Sequence, residues 1–154
     1  MVIKQLPSQG LSFQLWPATT TLVTLLDHHR YDPSNSPLSS TLLDQRRSLN
    51  ILKLGSKTGL VGIAAATTLG ANVTVIDLPH IITNLQFNAE ASVAVLAANG
   101  GTVHVVPLRW GEVDDVNLIG RDFDLVLASD VVYHDPLNLY FILFYFIKIF
   151  LIFF

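Results

Sequence analysis

Residues 49–62, LNILKLGSKTGLVG, constrain this chain more than any other stretch. An apolar run of strand character (50–54) passes through a glycine-bearing turn into an apolar run of helical character (59–69). A further apolar run, VTVID, then closes the unit at Asp77. Strand, turn, helix and strand in that order make a crossover unit, and such units build parallel sheets. The turn aims backbone N–H groups and the positive end of a helix dipole at a small-molecule ligand. Gly55 and Gly59 carry no Cβ and tolerate positive φ, so the backbone can approach that ligand closely. Asp77, about twenty residues further on, can accept hydrogen bonds from two ribose hydroxyls.

The rest of the chain extends the same plan. LSFQLW (11–16) alternates apolar and polar, a strand-like period. Pro17 suits the first turn of a helix that continues to about residue 29. Residues 30–48 are rich in Pro, Ser and Asp and read as a loop. Beyond the first unit the pattern predicts a stop at Gly70, a strand over 72–77, a helix over about 83–98, and a stop at Asn99-Gly100-Gly101. A strand over 102–106, a connection over 107–121 and a strand from Phe123 to Ser129 follow. The expected fold is therefore α/β, a Rossmann-like doubly wound and mostly parallel sheet. Right-handed crossovers place a ligand at the carboxyl ends of its strands, where Gly55, Asp77, the Pro107–Trp110 segment and Asp130 converge.

Composition excludes several other classes. The chain has 154 residues, a net charge of −3 and no basic cluster, which argues against a general nucleic-acid binder. It has no cysteine, so disulfides and thiolate metal sites are excluded, and its five histidines lack metal-ligand spacing. MVIKQLPSQG has no apolar core of a secretory signal, and a cytoplasmic location is expected. A P-loop fails because Gly55-Ser56-Lys57-Thr58 lacks the GxxxxGK[ST] spacing, and Gly55, Gly59 and Gly62 do not make GxGxxG. Asp130 and His134 lack the GxSxG nucleophile of a hydrolase. The mean hydropathy of +0.49 is high for a soluble chain, and six of the nine phenylalanines lie in the last fourteen residues, FILFYFIKIFLIFF.

ILKLGSKTGLVGIAAA, ANVTVIDLPH, NLQFNAE, HVVPLRWGE and FDLVLASDVVYHDPL together resemble the seven-strand S-adenosylmethionine-dependent methyltransferases. The likeness is closest to methyltransferase family 16, the protein-lysine methyltransferase group, and FQLWPATTTLVTLL resembles its N-terminal segment. It covers roughly residues 10–138. The resemblance implies S-adenosylmethionine as cofactor and an unidentified protein lysine as substrate. It implies that Gly55, Ser56, Lys57 and Gly59 form the loop under the methionine part of the cofactor. Asp77 would bind the ribose, Trp16 and Trp110 would line the site, and the Ser129 backbone would meet the adenosyl group. Asp130 and Tyr133 match the acidic-x-x-Tyr motif that faces the methyl-accepting amine. Methyl transfer from a sulfonium is an in-line displacement, so such an enzyme mainly supplies orientation. A lysine acceptor must be neutral to attack, although its free pKa is about 10.4, and apolar walls favour the neutral form.

The sequence departs from that pattern twice. Where the family loop opens with an acidic residue this chain has Lys53, and where the middle glycine belongs it has Lys57. The cofactor brings an ammonium and a sulfonium to this corner. Reversing one charge at about 4 Å is worth on the order of 4 kcal/mol at an effective dielectric near 20, before screening. Cofactor binding is thus expected to be weakened about 10–1000-fold, roughly 1.4–4 kcal/mol, with weak or absent activity. After Pro136 the family continuation gives way to the apolar tail. The expected divisions are an N-terminal helical segment and loop (1–48), an incomplete methyltransferase core lacking its C-terminal strands (49–136), and an aberrant hydrophobic tail (137–154). Such a tail reads like translated non-coding sequence and would leave strand four as an exposed edge. A non-catalytic truncated product or pseudo-enzyme, and a tail-anchored membrane protein spanning through 137–154, are the alternatives.

Overall fold

A computed structural model describes residues 1–40, 42, 48–120 and 122–131, and the backbone of 150–153. Among the described residues five parallel strands form one sheet in the order β3-β2-β1-β4-β5. They are β1 (Asn50–Leu54), β2 (Asn72–Asp77), β3 (Thr102–Pro107), β4 (Leu125–Ala128) and β5 (Phe150–Phe153). The order runs outward on both sides of β1, so the strand direction of travel reverses between β1 and β4. Ligands of open α/β sheets bind at such a reversal, outside the strand carboxyl ends.

Helix α1 (Pro17–Tyr31) starts on Pro17, whose missing N–H costs nothing in a first turn. His28, His29 and Arg30 fill its last turn, where the helix dipole favours positive charge. It buries Leu22, Leu26 and His29, an i, i+4, i+7 stripe. Helix α2 (Leu60–Leu69) begins after Gly59 at φ 86° and ends at Gly70 at φ 60°, whose N–H donates to the Ala66 carbonyl. Its small residues let it lie close on the sheet. A Cβ on Gly62 would collide with the Val75 side chain.

The strands sort their side chains with period two. Ile51, Val73, Val75, Leu125 and Leu127 pack with α1 and α2 in the larger core. Leu52, Leu54, Ile76, Val126 and Ala128 face the other way, against Leu108 and Val116.

Four local expectations are corrected. Residues 11–16 do not form a strand; Leu11–Phe13 is a 3-10 turn and only Phe13 of it is buried. The helix expected over 83–98 is two, α3 (Ile82–Ala91) and α4 (Val93–Ala98). Ser92 separates them, its hydroxyl donating to the Asn88 carbonyl at 2.9 Å in place of an outward pose. The connection 107–121 contains a helix, α5 (Val113–Ile119), led by Asp114 and Asp115. The Arg109 guanidinium and backbone N–H both donate to Asp115 just ahead of it. Finally, β4 is not left as a bare edge, because Phe150–Phe153 pairs along it from Leu125 to Ala128. Residues 132–149, which include Tyr133 and most of the tail, lie outside the described residues. Among the described residues no helix is long and apolar enough to cross a membrane.

The Gly62 contact gives a direct test of the α2–β2 packing. Gly62→Leu gains helix propensity of about 1 kcal/mol but must displace Val75. A net loss of about 1–3 kcal/mol in urea denaturation is expected from overpacking; an unchanged midpoint would contradict this packing.

Candidate ligand site at the strand carboxyl ends

The loop from Gly55 to Gly59 leaves β1 through a turn closed by the Gly59 N–H donating to the Ser56 carbonyl at 2.7 Å. Gly55 and Gly59 sit at φ 55° and 86°, and between them Lys57 sits at φ 52°. Positive φ is routine for glycine and strained for lysine, by roughly 1–2 kcal/mol. A Cβ on Gly55 would come within 2.7 Å of Val131 Cγ1, so this turn also packs tightly on the chain leaving β4. Ser56 pins the loop from both sides. Its N–H donates to the Ile76 carbonyl at 2.9 Å, and its hydroxyl donates to the Lys53 carbonyl at 2.9 Å.

Asp77 ends β2 directly beside this loop and is buried. The Lys57 N–H donates to its Oδ2 at 2.6 Å, and the Leu78 N–H donates to Oδ1 at 2.8 Å. Burial raises the Asp77 pKa, and those two N–H groups with the Lys53 and Lys57 cations oppose the rise. Each carboxylate oxygen keeps a further lone pair for another donor.

Asp130 follows β4 and, like Lys57, adopts positive φ, at 51°. The Lys57 ammonium stands 3.7 Å from its Oδ2 and 5.0 Å from the centre of the Trp16 ring. One residue therefore joins Asp77 through its backbone and Asp130 and Trp16 through its side chain. Trp16 itself is held by Nε1 donating to the Leu11 carbonyl at 2.8 Å. Ser129 is buried at the end of β4. Trp110 is half-buried and packs with Leu54, Ile76 and Ala128 on the opposite sheet face.

Lys53 does not reach solvent. It is 1 % exposed, and its ammonium donates to the Leu54 carbonyl at 2.6 Å. Burial, reinforced by the Lys57 cation and opposed by Asp77 and Asp130, pushes its amine down to about 7. Burial also lowers the Lys57 amine, with Asp130 and Asp77 opposing.

Two residues that the sequence reading quotes within motifs but gives no role hold the site. Asn88, fully buried on α3, donates to the Thr58 carbonyl at 2.9 Å and to the Lys4 carbonyl at 3.1 Å. Its Oδ1 accepts from the Lys4 N–H at 2.7 Å. It thus ties the glycine loop, α3 and the N-terminal segment together. Val131 closes on Gly55. Asn88 carried one signal in sequence, an amide at helical spacing from Leu85 and Asn84 on the buried face; Val131 carried none.

The loop and Asp77 fit the nucleoside half of S-adenosylmethionine, since the carboxylate retains acceptor capacity beside a close backbone. The residues do not fit its cationic half: the Lys57 ammonium lies between Trp16 and Asp130, and Lys53 lies beneath. Two cavities of about 460 and 480 Å³ lie elsewhere, one between α3, α4 and β3, the other at the strand amino ends around Asn50, Asn72 and His104.

A parallel sheet of this order with a glycine turn and acidic strand ends has the fold of the S-adenosylmethionine-dependent methyltransferases. The N-terminal domain of EvdMO1, crystallised in the presence of SAH and D-fucose, shares that fold at TM-score 0.55 and 17% identity, covering 90% of this chain and 51% of that one. A proposed O-methyltransferase from Nostoc punctiforme does so at TM-score 0.52 and 24% identity, covering 91% and 40%. The lysine methyltransferase family profile matches residues 1–142, and the chain belongs to that family. It is 37% identical over 107 residues to the protein-lysine N-methyltransferase rrg1 of Schizosaccharomyces pombe, covering 64% of this chain and 35% of that protein. It is 32% identical over 127 residues to EEF1A lysine methyltransferase 3 of Mus musculus, covering 82% and 46%. The chain thus spans between a third and a half of the length of these relatives.

The buried Lys53 gives a pH signature. Unfolded lysine titrates near about 10.4, so between about 7 and 10 the unfolded chain holds a proton that the folded chain has released. Stability therefore rises with pH across that window, and the lowered Lys57 amine adds in the same direction. Melting followed by circular dichroism should give a rising Tm from pH 6.5 to 9, and a flatter profile for Lys53→Met. Equal slopes for the two proteins would contradict the burial of this amine.

Proposed function

We propose that this chain carries the cofactor-binding part of a protein-lysine methyltransferase, with the cleft over Gly55, Asp77 and Asp130, and that as it stands it binds S-adenosylmethionine weakly. The observation that carries the reading is the convergence at Lys57, which draws Asp77 and Asp130 to one loop at the strand carboxyl ends. Relatives named as protein-lysine methyltransferases support a protein substrate that presents a lysine. In this reading Asp77 takes the ribose hydroxyls and Gly55, Ser56, Lys57 and Gly59 form the floor. Trp16, Trp110 and Ser129 line the cleft. Asp130 and Tyr133 are assigned to the side where the accepting amine enters. The division into 1–48, 49–136 and 137–154 and a cytoplasmic location belong to the same proposal.

A non-catalytic role is the second reading, favoured by Lys53 and Lys57 themselves. Lys57 places positive charge where a sulfonium and an ammonium would have to sit, and Lys53 beneath it adds to that charge when protonated, below about 7. The cofactor's attraction to this corner is then reduced by the charge and by the volume of the Lys57 side chain.

Isothermal titration with S-adenosylmethionine separates the two readings. The chain as it stands should bind about 10–1000-fold more weakly than Lys53→Glu/Lys57→Gly. The companion Lys53→Gln/Lys57→Gly, which avoids burying three carboxylates together without a cation, should fall between them. Ordinary micromolar affinity of the unaltered chain overturns the weakening. No binding by either double variant, each folded by circular dichroism, overturns the cofactor cleft.

A further inference from the structure

Strand β3 stands at one end of the sheet. It pairs with β2 on one side and with no strand on the other among the described residues. The Thr102 and Leu108 N–H groups donate to the Ala71 and Asp77 carbonyls, on the β2 side. Backbone groups alternate sides along a strand, so the N–H and C=O groups of Val103 and Val105 point away from β2. Edges of this kind are commonly blunted by charged side chains, yet TVHVVP, the whole of β3, holds no Asp, Glu, Lys or Arg. Val103 and Val105 are half-buried against the larger core, and Val106 against the other. Beside Val103 lies the cavity of about 460 Å³, whose lining includes Ala89, Val93, Leu96 and Ala97. Val93 is 58% exposed. The edge thus combines outward backbone groups with an apolar hollow.

The pattern of donors selects what can cover it. Only a short stretch can pair, because both of its ends are closed. Pro107 has no N–H, and the Gly101 N–H already donates to the Leu96 carbonyl at 3.0 Å. A long foreign strand would run past both ends with its own groups unpaired. A second copy of β3, laid antiparallel about a two-fold axis through His104, has the same short reach. Val103 then faces the partner's Val105 and exchanges N–H and C=O bonds with it, and symmetry repeats the pair. Pro107 comes opposite the partner's Gly101, so neither end has a donor left over. On the helix side, the partner's Val105 falls beside Val103 at the hollow under Val93. On the other side, Thr102 lies opposite the partner's Val106, and the two His104 side chains meet on the axis. No carboxylate, lysine or arginine of the strand is set against its own copy.

We propose that β3 is a homodimer interface, joining two five-stranded sheets edge to edge through Val103 and Val105. The strands of the two copies then run in opposite directions. Their carboxyl-end clefts accordingly open on opposite sides of the dimer, and the interface does not depend on what those clefts bind.

The chain has no cysteine, so single substitutions read the register directly. His104→Cys sets two thiols opposite each other in a non-hydrogen-bonded pair, about 4.5 Å between Cα atoms, within disulfide reach. Two copies of Thr102→Cys stand about 14 Å apart along the strands, too far to bridge, but each lies opposite position 106 of the partner. Mild oxidation should therefore link His104→Cys to itself. It should link Thr102→Cys only when that variant is mixed with Val106→Cys. Non-reducing electrophoresis and mass spectrometry give the readout. Sedimentation equilibrium of the unaltered chain should show a monomer–dimer equilibrium with a Kd of about 1–100 µM. His104→Lys sets like charges directly opposite and should raise that Kd at least about tenfold. His104 is exposed, so its variants should keep the circular dichroism of the unaltered chain. A single-chain mass up to about 1 mM overturns the interface and leaves the edge to a strand of another protein. Failure of His104→Cys to link, self-linking of Thr102→Cys as strong as that of His104→Cys, or a dimer that His104→Lys leaves undiminished each overturns it too.

Discussion

The hydrogen bond from the Lys57 N–H to Asp77 Oδ2, at 2.6 Å, is the contact on which the rest of the site depends. It closes the loop after β1 onto the end of β2 and so fixes where α2 begins. It also sets the direction of the Lys57 side chain, which then meets Trp16 and Asp130. Ser56 reinforces the same closure through Ile76 and Lys53, and Asn88 holds the loop's far end through Thr58. A backbone closed by so many partners can keep a lysine at positive φ, a conformation it would otherwise leave.

Charge gives the site its character. Lys53, Lys57, Asp77 and Asp130 make a compact group of two amino groups and two carboxylates, with both lysines and Asp77 buried and the Lys53 amine pushed down to about 7. Each charge alone at such a position would be costly. The lysines offset the aspartates, and the cluster as a whole is tolerable inside the fold. A site with acidic strand ends and no lysines would instead carry unbalanced negative charge, which a cationic ligand could neutralise on binding. In this chain the Lys57 ammonium stands beside Asp130 instead.

Most of the sheet was legible because its signals are local. The boundaries of β1 and β2 and the αL stop at Gly70 follow from apolar runs bounded by glycine and by polar ends. The convergence of Gly55, Asp77 and Asp130 followed from topology alone, since crossovers of one hand leave strand carboxyl ends on one edge. What was not legible depended on tertiary partners. The LSFQLW alternation promised a strand, yet a strand needs a neighbour to pair with, and this segment instead packs Phe13 inward. The Ser92 break has no glycine or proline to announce it. Helix α5 buries only Val116, too little apolar periodicity to stand out. The burial of Lys53 was least legible of all. A lysine in an apolar strand reads as one that reaches outward, and only the packed layers around β1 prevent it. Tyr133 and residues 132–149 lie outside the described residues, so the acidic-x-x-Tyr reading is represented by Asp130 alone.

The central claim is that two lysine amino groups are held inside the fold at the strand carboxyl ends. Lysine Cε and Nζ resonances in a 13C,15N-lysine-labelled sample, followed across pH, test it most directly, because the chain has four lysines. Lys53 should titrate near about 7. Lys57 should titrate below the ordinary lysine range, with its Cε protons moved upfield by the Trp16 ring. Four lysines that all titrate near about 10.4, with no ring-shifted methylene, would contradict the account.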